Sequence, residues 1–346
     1  MAKMVKTVKM SDIAAKLNIS TVTVSKALSD QKGVSEELRD KIKQLAQDKG
    51  YKYTAPTKGR EPGKSYNMGV LVSRRYLDSS DSFYVKMCQE VTAKAMQMGC
   101  FTLLEFIEKQ DEAMGTLPKL VSENKVDGII VVGKPGHNYA AMLEKNIKIP
   151  MVFLDFFDAE LHTDAVITNS YLGSYMLTKY LIRAGHKDIG YVGTLFVTDS
   201  VTDRYLGYMK AMMEHGLQVR EEWVINDREF ETGLMKLYRN IELPEELPTA
   251  FVCNCDYIAS IVIKMIRERD KRVPEDVSVV GYDNYLYPGL CDIGITTYEV
   301  NIGEMARIAV EILHDKLEGR EKELKVSTVE GKLIEKDSVK KIKKIG

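Results

Sequence analysis

A chain of 346 residues with 45% hydrophobic side chains is long enough for more than one packed domain. No run of 18 apolar residues occurs, which excludes a membrane-spanning helix, and the basic start MAKMVKTVKM lacks the apolar stretch of a secretory signal, so a cytoplasmic location is expected. The formal net charge of −1 conceals a split: residues 1–64 hold 14 Lys and Arg against 7 Asp and Glu, whereas residues 65–346 hold 35 against 43.

A basic head on an acidic body points to a polyanionic partner for the head, with a solvated lysine-rich tail as the alternative reading of charge alone. Helix signals argue against the tail. Ser11 is placed to cap a helix that carries Ile13, Ala14 and Leu17 on one face, and Asn18 breaks that pattern. Ser20 is placed to cap a second helix over 21–28 that buries Val24, Ala27 and Leu28. A third, opened by Ser35 with Glu36 and Glu37 in its first turn, carries Leu38, Ile42, Leu45 and Ala46 and ends at Gly50. Two short helices, a tight turn and a longer brace make a helix-turn-helix. The second helix then exposes Thr21, Val22, Thr23, Ser25 and Lys26, with hydroxyls suited to phosphate, Val22 to a thymine methyl and Lys26 to base edges. Taken singly, Ser and Thr also cap helices and Lys also solvates; the combination on a basic domain is the signal.

The run VKMSDIAAKLNISTVTVSKALSDQKGVSEELRDKIKQLAQDKGYKY closely resembles the headpiece of the LacI/GalR family of repressors. That resemblance implies operator DNA as the partner. It implies Thr21, Val22 and Lys26 as base-reading residues, and Ser20, Thr23, Ser25 and Ser35 as phosphate contacts. Lys26 stands where many members carry Arg, so a bidentate grip on guanine is lost. The family then has a hinge helix whose leucine wedges into the minor groove. Here the equivalent position is Arg60, and Pro56, Gly59, Pro62 and Gly63 oppose a helix, so 53–65 is expected to be an extended linker. Lys58 or Arg60 is the candidate for entering a narrow minor groove, with plain linker solvation as the alternative.

From residue 66 short apolar runs alternate with amphipathic stretches. Strands are expected at 67–73, 101–106, 128–133, 151–155, 189–193, 250–254 and 277–282. Helices are expected at 83–98, 115–124, 172–184, 205–215, 258–269 and 302–317. The alternation implies parallel sheets covered by helices, and roughly 270 residues divide best into two lobes. Ligands of such sheets bind beyond the carboxyl ends of strands. Asp155, the 254–256 turn and Asp283 fall there, with Arg204 just before a helix. An aspartate at a strand end also serves as a helix cap, but carboxylate and guanidinium together grip a neutral polyol by directed hydrogen bonds.

The body resembles the same family in KVDGIIVVG, IPMVFLD, YLIRAGHKDIGYVG, DRYLGYMKAM, VPEDVSVVGYDN, ITTYEVN and IEKDSV. The resemblance implies an all-α helix-turn-helix N-terminal domain (1–52) followed by a two-lobed α/β sensor domain (66–346) of the type I periplasmic-binding-protein kind. Three strands would cross between lobe N (about 66–168 and 300–322) and lobe C (about 169–297 and 323–338). By position, Asp155, Arg204 and Asp283 match effector contacts, Phe83 or Tyr84 an aromatic near the ligand, and Phe230 the stacking aromatic across an uncertain gap. Cys255 stands where many members have an effector-binding Asn. Asn254 is the nearest replacement, although one residue of shift turns a strand side chain to the opposite face.

Catalysis has no sequence support. The five histidines are scattered, His186 sitting at a helix end where an imidazole meets the dipole, and Cys253-x-Cys255 has no third ligand nearby. The five cysteines (Cys88, Cys100, Cys253, Cys255, Cys291) read as reduced, mostly buried thiols, and Trp223 as packing; neither a metal nor a cofactor is expected. The whole describes a DNA-binding regulator, a repressor of carbohydrate genes, whose headpiece answers to a small effector, a sugar by preference. A homodimer is expected, since no leucine heptads follow the Lys-rich tail to make a tetramer. The alternatives are a solute-binding transport protein, and a regulator answering to a purine, a nucleoside or a partner protein.

Overall fold

A computed structural model of the protein describes residues 10–28, 33–48, 65–76, 83–229, 240–286, 288–320 and 323–342. The chain divides into two compact units, residues 1–64 and 65–346. Lys58, Arg60 and Phe230, with the rest of residues 53–64 and Gly50, lie outside the described residues.

The first unit holds α1 (Met10–Leu17), α2 (Thr21–Leu28) and α3 (Glu36–Asp48). Ile13, Ala14, Val24, Ala27, Ile42 and Ala46 bury themselves where the three helices meet, as their 3.6-residue spacing requires. Asn18 turns the chain between α1 and α2 with a φ of 52°, a left-handed backbone that Asn tolerates. Ser20 caps α2 by accepting from the Thr23 amide at 3.1 Å. Ser11 lies inside α1, which starts at Met10, two residues earlier than a Ser11 cap implies.

The second unit contains two parallel sheets. The larger has the order β11-β5-β4-β3-β1-β2, built from β1 (Asn67–Ser73), β2 (Phe101–Ile107), β3 (Gly128–Val132), β4 (Met151–Leu154), β5 (Asp164–Thr168) and β11 (Val326–Val329). The smaller runs β7-β6-β8-β9, from β6 (Ile189–Val192), β7 (Val224–Ile225), β8 (Ala250–Cys253) and β9 (Ser278–Val280). Central strands are buried on both faces, so they read as unbroken apolar runs rather than alternations. On β1, Val70 and Val72 join Met87 and Val91 of α4 (Phe83–Gln97) and Met305 and Ala309 of α11 (Ile302–Leu317), while Leu71 faces Tyr139 and Leu143 of α7 (His137–Asn146). The period of two thus sends alternate side chains to two different helical layers.

The chain passes between the lobes three times: from β5 into α8 (Ser170–Arg183), from β10 (Thr297–Glu299) into α11, and from β11 to β12 (Lys332–Ile334), which pairs antiparallel with β10. The sequence places residues 323–338 in lobe C, but β11 pairs in parallel with β5, Val326 to Ala165 and Val329 to Thr168, so it forms the edge of the lobe N sheet. Two helices also differ from expectation. Only Lys119–Ser122 of the 115–124 stretch forms α6, because Gly115 closes α5 (Lys109–Met114) in a left-handed cap and Pro118 starts the chain afresh. α9 (Asp199–Glu214) begins six residues before Tyr205, since the Thr198 hydroxyl accepts from the Val201 amide and caps it there. Arg204 therefore lies within the helix rather than before it.

His186 is likewise no partner of a helix dipole. It is buried, with Nδ1 3.0 Å from Thr249 Oγ1 and Nε2 3.1 Å from the Lys340 carbonyl, clamping the C-terminal segment to lobe C. Burial lowers its pKa below the ordinary imidazole value. A histidine whose folded pKa is depressed contributes stability that is full above its unfolded pKa of about 6.5 and is lost as the pH falls further. The melting temperature should therefore drop between pH 6.5 and 5, and His186→Gln should flatten that drop; an unchanged slope in the variant would contradict this assignment.

Candidate functional site

In the first unit, the exposed residues of α2 are Thr21, Val22 and Lys26, while Thr23 and Ser25 are half-buried. Val22 is 61% exposed, an apolar side chain held in water at the start of a helix whose other valine is buried. Ser20 and Ser35 are exposed just ahead of α2 and α3. Ser20 has its capping bond and also lies 2.9 Å from the Thr23 hydroxyl. These side chains form one polar, hydroxyl-rich edge with a single lysine and a single exposed methyl pair.

In the second unit, the polar residues that follow the parallel strands converge between the lobes. From lobe N come Tyr76 after β1, Lys134 after β3, Asp155 after β4, and Phe83 and Tyr84 at the start of α4. From lobe C come Thr198, Ser200 and Arg204 around the start of α9, Arg228 after β7, Cys255 after β8 and Asp283 after β9. Two adjoining chambers result. One is lined by Lys134, Asp155, Asp199 and Asp203 with Thr168 and Ser170. The other is lined by Arg204, Arg228, Asp155 and Asp283 with Phe83, Tyr257 and Tyr285. Tyr76, Tyr84, Asp155, Thr198 and Ser200 border both.

Arg204 is the fixed centre of the lobe C wall. Its guanidinium lies 3.7 Å over the Tyr282 ring, Nη1 donates to the Asn254 carbonyl, and Nη2 lies 3.5 Å from Asp283 Oδ1. Burial opposes its charge, but Asp283, Tyr282 and Asp155 raise its pKa beyond the usual value, so it stays cationic. Asp155 and Asp283 both hold positive φ, at 68° and 99°. Two left-handed aspartates at one cleft mark backbone that tertiary packing has forced into place. Within lobe N the Tyr84 hydroxyl donates to Asp155 at 3.0 Å, and across the cleft Lys134 Nζ reaches Asp199 at 2.8 Å, tying lobe N to lobe C. Burial, then Asp199, raises the pKa of Asp203.

The loop carrying Lys134 is held from behind. Tyr76 Oη and Arg75 Nη2 both donate to the Lys134 carbonyl, at 2.6 and 2.8 Å. Gly133 at φ 72° makes this possible, because a Cβ there would meet the Tyr76 and Tyr84 rings at 2.8 and 2.9 Å.

Of the residues expected from sequence, Phe83, Tyr84, Asp155, Arg204, Cys255 and Asp283 all line the cleft. Asn254 does not. It is 1% exposed, and its amide donates to the Val192 carbonyl and to Asp227 Oδ2, both at 2.9 Å. Strand parity is the reason: past β8, Cys255 faces the ligand space and its neighbour faces the sheet. Sequence reasoning missed Lys134, Asp199, Ser200, Asp203, Tyr257, Tyr285 and Arg228. The signal for most was position after a strand; Arg228 had none, since β7 is only two residues long. Among the described residues no cluster of three or more His, Cys, Asp or Glu is arranged to hold a metal, and no helix is long and apolar enough to cross a membrane.

Comparisons with known proteins agree with this layout. Residues 9–53 match the family of bacterial regulatory proteins of the lacI type, and residues 178–339 match the periplasmic binding protein-like domain. The chain is 29% identical over 333 residues to the HTH-type transcriptional repressor PurR of Escherichia coli O139:H28 (strain E24377A / ETEC), covering 95% of this chain and 96% of that one. Its fold is similar to the lac repressor dimer bound to operator and the anti-inducer ONPF, with a TM-score of 0.65 at 20% identity over 97% of this chain and 100% of that one. It is equally similar to the transcriptional regulator CelR in complex with cellobiose, with a TM-score of 0.65 at 20% identity over 96% and 99%. The lacI-type match disposes of the transport-protein alternative. With a helix-turn-helix of the lacI type at one end and a binding-protein-like body at the other, the chain has the domain make-up of the LacI-family DNA-binding transcriptional regulators that it is similar to.

Proposed function

We propose that this regulator is a homodimeric repressor of carbohydrate genes, acting in the cytoplasm, that reads operator DNA with α2 and binds a saccharide between the lobes. The observation that carries the ligand reading is the convergence of Asp155, Arg204 and Asp283 with Tyr76, Phe83 and Tyr84 on one cleft. Carboxylate and guanidinium groups supply directed acceptors and donors for hydroxyls, and aromatic faces cover the apolar face of a sugar ring. The similar regulator CelR holds cellobiose, which supports the same ligand class here. The paired aromatics, Tyr76 and Tyr84 with centroids 4.4 Å apart, also suit a planar base, so nucleosides belong in the same screen.

In this reading Thr21, Val22 and Lys26 touch base edges, and Ser20, Thr23, Ser25 and Ser35 touch phosphates; Lys58 and Arg60 are the candidates for the minor groove. Lys26 offers one point charge rather than a planar fork, so a single base edge is its natural partner. Lys26→Ala should relax the preference at one operator position by about 1–3 kcal/mol. Competition binding against operator variants measures this, and an undiminished preference at every position would move base reading elsewhere.

The saccharide is held through Asp283, which also neutralises Arg204. Asp283→Asn keeps a residue that tolerates positive φ and removes the charge. It should abolish the rise in melting temperature produced by the bound saccharide while operator affinity of the ligand-free protein stays within a few-fold. Loss of both together would make Asp283 a structural residue only.

Dimerisation has a candidate surface on the edge strand β2, where Phe101 is 65% and Leu104 50% exposed, flanked by Met96 on α4. An open parallel-sheet edge with apolar side chains is unstable in water unless something covers it, and a second copy also holds two headpieces for two half-sites. Leu104→Glu should shift sedimentation toward monomer and weaken operator binding by tenfold or more through lost effective concentration. A variant that remains dimeric would place the interface on another face.

A further inference from the structure

The two arginines of the cleft are differently committed. Arg204 has hydrogen-bonded and stacked partners inside the protein. Arg228, with a side chain only 14% exposed, makes no side-chain hydrogen bond to any described residue; its one charged contact is Nε to Asp227 Oδ2 at 3.4 Å. Nε itself is buried without a hydrogen-bond partner. Nor is Asp227 free to serve it. That carboxylate is fully buried and already accepts from the Thr194 amide at 2.8 Å, the Thr194 hydroxyl at 3.0 Å and the Asn254 amide at 2.9 Å. Asp227 balances the charge of Arg228, but among the described residues this nearly buried guanidinium gives none of its five donors to a hydrogen bond, and it lines the chamber wall.

We propose that the ligand carries an anionic group, a carboxylate or a phosphate, that takes the planar fork of Arg228. Under the saccharide reading, on which this rests, the effector is an acidic sugar: a sugar acid or a sugar phosphate. A hydroxyl oxygen answers one N–H, whereas the two oxygens of a carboxylate or phosphate match the fork. The other chamber fixes the orientation. Asp155, Asp199 and Asp203 line it together with Thr168, Ser170 and Lys134, whose single charge pairs with Asp199, so the wall stays net negative, repels an anion and accepts from hydroxyls. The anionic end therefore lies toward Arg228 and the hydroxylated end toward Asp199 and Asp203.

The test is calorimetric titration of the full-length protein with matched probes. D-glucuronate and D-galacturonate supply the carboxylate, D-glucose 6-phosphate and D-ribose 5-phosphate the phosphate, and D-glucose, D-galactose, D-ribose and cellobiose the neutral controls; inorganic phosphate tests the anion alone. The expected result is at least one acidic probe binding more than tenfold tighter than its neutral counterpart, the carboxylate and phosphate arms telling which anion is read. Arg228→Gln should then weaken that probe by about 10- to 100-fold, at least tenfold more than it weakens the neutral sugar, with Arg228→Lys in between. If neutral sugars bind as tightly as their acidic counterparts, or if Arg228→Gln leaves the acidic probe unaffected, the proposal fails while the saccharide reading stands. If no saccharide of either kind binds, both fail. Should Arg228→Gln not fold, the discrimination by the unmodified protein decides alone.

Discussion

The anchoring of Arg204 is the interaction on which the sensor's geometry rests. One guanidinium from α9 reaches the carbonyl that follows β8, the aspartate that follows β9 and the face of Tyr282. Three elements of lobe C are thereby fixed to one another at the edge where the ligand space opens. The arrangement is costly to break from either side. Removing Asp283 leaves a buried cation under-compensated, and removing Arg204 leaves Asp283 beside Asp256, whose carboxyl burial and Asp283 already push well above the ordinary range. Beneath the loop, Asp256 Oδ2 accepts from the Tyr285 amide at 3.0 Å.

Against that rigid wall, lobe N is joined across the cleft by a lighter connection. Lys134 to Asp199 is partly solvated on both sides, and such pairs contribute little to stability. A weak bridge across the mouth of a cleft suits a device that must open and close, because differential ligand contacts in the two arrangements then decide the balance. The three interlobe passages let one lobe turn against the other without unfolding either sheet. Regulation follows if the arrangement favoured by ligand is not the one favoured by operator.

Much of this was legible in the sequence, and the failures are physical. Strands such as 128–132 are readable because both faces are buried, which leaves an unbroken apolar run. β5 and β11 are harder: each is short and carries polar side chains, and β11 joins its sheet through a partner some 160 residues away. Cleft residues that follow unbroken apolar runs, such as Asp155 and Asp283, could be placed from position alone. Arg228 follows a strand of two residues, and nothing local distinguishes it from a solvated arginine until Asp227 is seen buried behind it. Asn254 failed for the opposite reason, since its residue type suits a ligand but strand parity turns it inward.

Coupling between the recognition helix and the cleft is the central claim, and linkage makes it directly measurable. With a saccharide that raises the melting temperature of the protein, operator affinity is measured with and without saccharide, and saccharide affinity with and without operator, at one salt concentration. The account predicts that both affinities change by the same factor, corresponding to about 1–3 kcal/mol. Two affinities that ignore each other would contradict it.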